Sequence, residues 1–483
     1  MNAGRATPQD GPSGRTPPGV LLVMLVLVLA EVLSSFESSM VYTALPGIAR
    51  DLGDLSTASW LITAHLLGSV VMAVIGGRLG DAYGRRRIIL IAVLLCGIGS
   101  LVSAVASSTS LIIAGRALQG ASGALLPLVF GIVREVVVPH KSPFWIGCMT
   151  GAFGVGSSMG FLLGGYLSDA GHWQSMFVFT SLYSLALLPI LFAVLPRSAG
   201  AAVAGERFDY LGAILFAPGV ALVLLAVSTG FRKDADLLWT AALLATGATL
   251  LAIWIGHELR CRHPLVHLRH LRNRSIALAF GGMCLASVGL VQTAFLFMLL
   301  MQQPSATGIG LGLSATLAGM LKIPSSLTAG IASPLSGWLS ARYGSALVLA
   351  IGSGLGGLGW IALIGFHDTL WHVVAISMLC SFAAYVLMTG LPTLALEQTP
   401  VGRSSEVTGA IMMLRGVATA VGVQLMGIFL SISRVTLPSG DQHPAESAFL
   451  LAFAGIGTSA LLLMAICWHE WRRRPSPMAL STV

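Results

Sequence analysis

Apolar residues along this 483-residue chain run unbroken in long blocks, neither alternating as in a half-buried strand nor forming the single stripe of a surface helix. Roughly 20 helical residues cross the ~30 Å hydrocarbon layer of a bilayer at about 1.5 Å per residue, with every backbone amide bonded inside the segment. Fourteen blocks reach that length, near 19–42, 57–77, 87–107, 110–134, 142–169, 174–195, 209–230, 237–256, 275–301, 309–335, 345–366, 370–396, 405–432 and 448–468. They predict an all-α membrane protein. Residues 1–18 are rich in Pro, Gly and Ser, cannot bury a core, and are expected to form a disordered cytoplasmic tail. The block that follows is too long for a cleaved signal and lacks an Ala-x-Ala-like exit.

Composition agrees, with 55% hydrophobic and only 10% charged residues. The formal net charge of +8 would by itself suit a nucleic-acid binder, so the placement of the cations matters more than their sum. With both termini cytoplasmic, twenty of the 27 Lys and Arg fall in inner segments, four (Arg50, Arg232, Lys233, Arg434) in outer ones, and Arg116, Lys322 and Arg415 inside blocks. That positive-inside bias orients a multi-pass protein in the cell membrane and makes no case for nucleic acid.

The six cysteines lie in or beside blocks, without a disulfide framework or metal-ligand spacing, so no metal or cofactor is expected. His257-Glu258 and His263 have the wrong spacing to share a helix face, and are expected in a solvated basic loop. No phosphate-binding loop is present, which excludes ATP-driven export within this chain.

One charged stretch recurs. Gly77-Arg78-Leu79-Gly80-Asp81-Ala82-Tyr83-Gly84 returns 260 residues later as Gly337 to Gly344, matching at Gly77, Leu79, Tyr83 and Gly84. Both copies follow the second block of a set of six, so a duplicated six-helix unit with two inserted helices explains the fourteen. The expected organisation is a tail at 1–18, a six-helix bundle at 19–196, a linker with two extra helices at 197–258, a second bundle at 259–470 and a tail at 471–483. The two bundles are expected to be pseudo-symmetric about a midplane site.

These features resemble the major facilitator superfamily, and within it the fourteen-helix drug:proton antiporter branch. The signature Gly-x-Leu-x-Asp-Arg-x-Gly-Arg-Arg is met by Gly77, Leu79, Asp81, Gly84, Arg85 and Arg86 and missed at Ala82. Arg116-x-x-Gln119-Gly120 and the run Pro264 to Arg274 fit the same branch. The resemblance implies a cytoplasmic latch. Asp81 would face the positive N-terminus of the span that starts near Ser404 and Ser405, worth about 0.3–1 kcal/mol when exposed, and Arg85 or Arg86 would reach Glu135. Arg87 is read mainly as a topology signal.

Charges inside a span are costly and mark function. The segment Glu37 to Pro46 resembles the branch's first-helix signature, with Glu for Asp and Tyr42 for Asn, which makes Glu37 the leading proton site, Glu31 the second candidate and Arg116 the partner. Six residues apart on a helix, the two acids do not share a face. A carboxylate withdrawn from water takes up a proton more readily and a nearby arginine opposes that, so such a pair can load and release. Gln119, Tyr42, Arg415 and Lys322 are candidates for the substrate cavity. Arg415 and Lys322 can equally snorkel, and His65 reads as a helix–helix hydrogen-bonder before a proton relay.

In the fifth span Gly151, Gly154, Gly156, Gly160, Gly164 and Gly165 allow close helix approach and resemble the antiporter signature Gly-x-x-x-Gly-Pro-x-x-Gly-Gly. Phe161 replaces its proline, which predicts a straighter helix and tolerance of Phe161→Pro. The function these readings favour is proton-coupled export of amphipathic or cationic small molecules by a monomer in the bilayer, with the substrate and protons as partners. The alternatives are transport of a specific metabolite or lipid, and, last, a non-transporting membrane protein. No catalytic constellation is visible, so an enzyme is not expected.

Overall fold

Polar residues just ahead of the apolar blocks start many of the helices. Asp54 accepts the Thr57 amide at 3.1 Å, Ser108 that of Leu111 at 3.4 Å, Asp236 those of Leu238 and Trp239 at 2.9 and 3.1 Å, and Ser314 that of Leu317 at 3.3 Å. Each bond satisfies an amide that has no partner within its own helix. The structure is a computed structural model describing residues 18–137, 142–170, 172–196, 209–230, 236–261, 273–397, 404–438 and 442–473.

The first group of helices comprises α1 (Pro18–Leu52), α2 (Leu55–Tyr83), α3 (Arg85–Val105), α4 (Thr109–Gln119), α5 (Leu125–Val136), α6 (Ser142–Asp169) and α7 (Ser175–Val194). Two more, α8 (Tyr210–Gly230) and α9 (Leu237–Arg260), pair with each other through Phe216 and Trp254, whose rings are 4.9 Å apart, and α8 touches both α2 and α16. The last group is α10 (Arg274–Val288), α11 (Thr293–Gln302), α12 (Ala315–Leu327), α13 (Ala329–Tyr343), α14 (Ser345–Gly365), α15 (Leu370–Leu396), α16 (Ser404–Ile432) and α17 (Glu446–Arg473). Among the described residues eleven helical stretches are long and apolar enough to cross a membrane. A two-stranded antiparallel hairpin, β1 (Arg434–Thr436) with β2 (Gln442–Pro444), joins α16 to α17 and is an addition to the all-α expectation.

Three blocks that read as continuous are broken. The block at 110–134 changes to a 3-10 turn at Gly120–Ala124, where Gly120 lies so near α2 that an added β-carbon would stand 2.5 Å from the Gly68 α-carbon. The block at 275–301 breaks at Gly289, between α10 and α11. The block at 309–335 breaks at Thr328, four residues after Pro324, and its second piece runs on to Tyr343.

The repeated Tyr-Gly makes the same turn twice. Gly84 has φ 95° and ψ 122°, Gly344 has φ 85° and ψ 141°, and each amide bonds four residues back at 2.9 Å, to Gly80 and Ser340. Glycine adopts that positive φ without a steric penalty.

Candidate functional site

In the first group a chain of buried polar side chains crosses four helices. Glu31 and Glu37 of α1 are 1% and 2% exposed, and each keeps one carboxylate oxygen without a hydrogen-bond partner. The other Glu37 oxygen accepts from Ser100 Oγ of α3 at 3.4 Å, Ser100 accepts from Gln119 Nε2 at 2.6 Å, and Gln119 Oε1 accepts from Arg116 Nη1 at 2.7 Å. Arg116 Nε donates to the Leu61 carbonyl of α2 at 2.8 Å, which fixes the guanidinium between α2 and α4. Glu37 and Arg116 are thus joined through Gln119 and Ser100. Tyr42, half-buried, lies near Arg116. His65 Nε2 is 3.2 Å from Ser38 Oγ, bridging α1 and α2. Ser100 drew no notice in the sequence because an isolated serine in an apolar block carries no charge; its spacing from Glu37 becomes meaningful only once α1 and α3 are packed.

The glycines of α6 divide between two neighbours. Added β-carbons at Gly156 and Gly164 would stand 2.8 Å from Ser35 Cβ and 2.6 Å from the Met40 carbonyl oxygen, and Gly160 abuts Ser39, all on α1. Gly165 instead faces α12, where an added β-carbon would stand 2.7 Å from the Ala315 carbonyl carbon. Phe161 is buried, its carbonyl accepts from Thr43 Oγ1 at 3.2 Å, and α6 runs unbroken past it.

At the end of the molecule where α1 begins and α17 ends, Arg85 pairs with Glu135 of α5, while Arg86 donates to the Phe192 carbonyl and lies over that ring. Gly80 and Gly76 abut Leu128 and Ala124, whereas Gly77 is looser, 3.8 Å from Pro127 for an added β-carbon. The Asp81 side chain and those of Ser404 and Ser405 lie outside the described residues.

The opposite, far end is where α1, α2 and α6 meet the last group. Asp169 at the end of α6 accepts the Ala315 and Thr316 amides at 2.9 and 2.8 Å, capping α12. Gln302 Nε2 donates to the Thr43 carbonyl at 2.9 Å and Arg434 pairs with Asp54 at 2.6 Å. Midway along, Gly416 abuts Val70 and Thr63 lies 3.4 Å from Gln424, joining α2 to α16.

Lys322 does not snorkel. It is 2% exposed, with its Nζ 2.9 Å from Ser377 Oγ and 3.3 Å from Ser381 Oγ. Arg415 is half-buried near Tyr385 of α15. The expectation of a solvated loop at His257 and Glu258 is corrected: α9 continues through them, Glu258 is buried, and His257 Nε2 lies 2.8 Å from Asp209 Oδ1. With Cys261 these two place three potential ligand atoms within 4.8 Å of one another, against the expectation that no metal-ligand grouping would occur. His257 lies in the last turn of α9, Cys261 just past its end, and Asp209 just before α8, so only the packed pair brings them together.

Apolar rods that meet as two groups, with acids and bases buried between helices, are the build of a polytopic membrane transporter. Residues 27–423 match the Major Facilitator Superfamily, and the chain belongs to that superfamily. It is 27% identical to a probable actinorhodin transporter of Streptomyces coelicolor over 96% of this chain and 84% of the relative. It is 29% identical to a multidrug resistance protein B homolog of Mycobacterium tuberculosis, over 86% of this chain and 77% of the relative. Among solved structures, the nucleoside transporter NupG superposes with a TM-score of 0.67 at 11% identity, covering 93% of this chain and 99% of that one. A peptide transporter bound to sulfate gives 0.69 at 16% identity, covering 96% of both chains. These likenesses carry the fold.

Proposed function

We propose that the protein is a fourteen-helix, proton-coupled exporter of amphipathic or cationic small molecules, working as a monomer in the cell membrane by alternating access. Both termini are cytoplasmic and the far end faces outward. The domain limits are those set out from the sequence, with α8 and α9 as the inserted pair. Relatives named for multidrug resistance, and one from Salmonella typhimurium named for methyl viologen resistance at 23% identity, support export of such compounds.

The observation that carries the coupling is Glu37. A carboxylate held in the protein interior, with one oxygen free and hydrogen-bonded to Arg116 through Ser100 and Gln119, is poised to take up a proton when water enters and to release it when the arginine moves closer. Glu31, on another face of α1, is the second candidate. The cytoplasmic latch expected of Asp81 belongs to this reading, and the Arg85–Glu135 pair braces α3 against α5.

The test is Glu37→Gln in inverted vesicles, with ethidium and methyl viologen as probes. Uptake driven by an imposed proton gradient should vanish while ethidium counterflow persists. Gradient-driven uptake equal to that of the unaltered protein removes Glu37 from the coupling mechanism.

A further inference from the structure

Lys322 carries its amine in the protein interior. It sits on α12 seven residues from Ala315, about 10 Å in from the far end at the rise of a helix. Ser377 and Ser381, one turn apart on α15, hold its Nζ; Ser325 Oγ is 2.9 Å from Ser377 Oγ; and the Phe297 ring of α11 lies 5.1 Å from the ammonium. All three serines are buried. Among the described residues no carboxylate pairs with Lys322, and the ionisable neighbour that acts on it is Cys380.

Two ordinary roles fail here. A lysine that only sets topology extends its head to water along the apolar stem, and this one turns inward. A lysine that only fills space leaves a desolvated charge that hydroxyls and a ring face compensate in part, where leucine or methionine would incur no such penalty. Hydroxyls can donate as well as accept, so Ser377 and Ser381 can turn toward an anion brought beside the ammonium. Phe297 adds a flat apolar surface.

We propose that Lys322, Ser377 and Ser381 form a subsite for an ionised acid group, carboxylate or phenolate, carried on a planar apolar molecule that the protein transports. The subsite lies where the groups part. Gly319, one turn before Lys322, abuts the Phe161 carbonyl of α6, and Phe297 shares α11 with Gln302, which bonds Thr43 of α1. Separation of α1 and α6 from α11 and α12 unroofs this segment. The inference rests on the transporter reading above and extends its substrates from cations to amphipathic acids.

The experiment uses the full chain in proteoliposomes with two probes of similar planar size, fluorescein as the acid and ethidium as the cation. The unaltered protein should transport both. Lys322→Gln should raise the fluorescein concentration for half-maximal transport at least tenfold and leave that for ethidium within twofold, and Lys322→Arg should restore most of the difference. Ser377→Ala with Ser381→Ala keeps the charge and guards against misfolding of the lysine variant; it should weaken fluorescein several-fold and spare ethidium. Equal losses for both probes, or no loss for fluorescein, overturn the proposal. So does loss of proton-driven ethidium transport in Lys322→Gln, which would make the lysine part of coupling, and so does displacement of fluorescein by millimolar chloride, which would assign the site to an inorganic anion. Ethidium transport without fluorescein transport overturns the subsite and leaves the exporter reading intact; fluorescein transport without ethidium does the reverse.

Discussion

Gly165→Val should hold the far end of the molecule open. A β-carbon there would stand 2.7 Å from the Ala315 carbonyl carbon and 2.7 Å from Thr316 Cα, whereas carbon atoms in contact settle about 3.5–4.0 Å apart, so α6 and α12 must part by about 1 Å. The same movement stretches the bonds from the Ala315 and Thr316 amides to Asp169, now 2.9 and 2.8 Å. Overpacking costs about 1–3 kcal/mol, and a weakened charged hydrogen bond adds to it, so a total of about 1.5–3 kcal/mol against the closed end is reasonable. At about 1.4 kcal/mol per decade this shifts the closed-to-open ratio by roughly 10- to 150-fold. Gly164→Val is the control, because its β-carbon would press on Met40 of α1 inside the same group and should lower thermal stability without moving the groups apart. The assay is a distance distribution between spin labels at the exposed Ser107 and Thr369, in the α3–α4 and α14–α15 connections. Gly165→Val should lengthen it and Gly164→Val should not. Unchanged distances in a folded, transport-competent Gly165→Val protein would refute the packing argument.

Two further outcomes follow from the geometry. Arg116→Lys keeps the charge but lacks the planar fork that reaches both the Leu61 carbonyl and Gln119, so proton-driven transport should fall at least tenfold while the melting curve stays close to that of the parent protein; full transport would show that charge alone suffices. Phe161→Pro, which the sequence alone suggests is tolerated, removes a helix bond and a buried ring in a helix that here runs unbroken past it, at a cost of about 3 kcal/mol or more. A lowered melting temperature in detergent is the expected result, and an unchanged one would show that α6 accommodates a kink.

Much of the fold was legible before any coordinates, because the cost of placing a residue in hydrocarbon is a local property that the order of apolar and charged residues records directly. The apolar blocks, the repeated Tyr-Gly turn and the buried acids Glu31 and Glu37 are of this kind, and so is the glycine stripe of α6. Partnership is different. The sequence could place Arg116 near Glu37 but could not supply the link through Gln119 and Ser100, since 63 residues separate Ser100 from Glu37 and a neutral serine leaves no mark on hydropathy. Nor could it divide the glycines, three toward α1 and Gly165 toward α12, because one residue along a helix turns the contact by about 100° and only the packed neighbours say what lies there. Lys322 illustrates the limit most plainly: its type and depth were readable, whereas its inward turn toward Ser377 and Ser381 was decided by how α12 lies against α15.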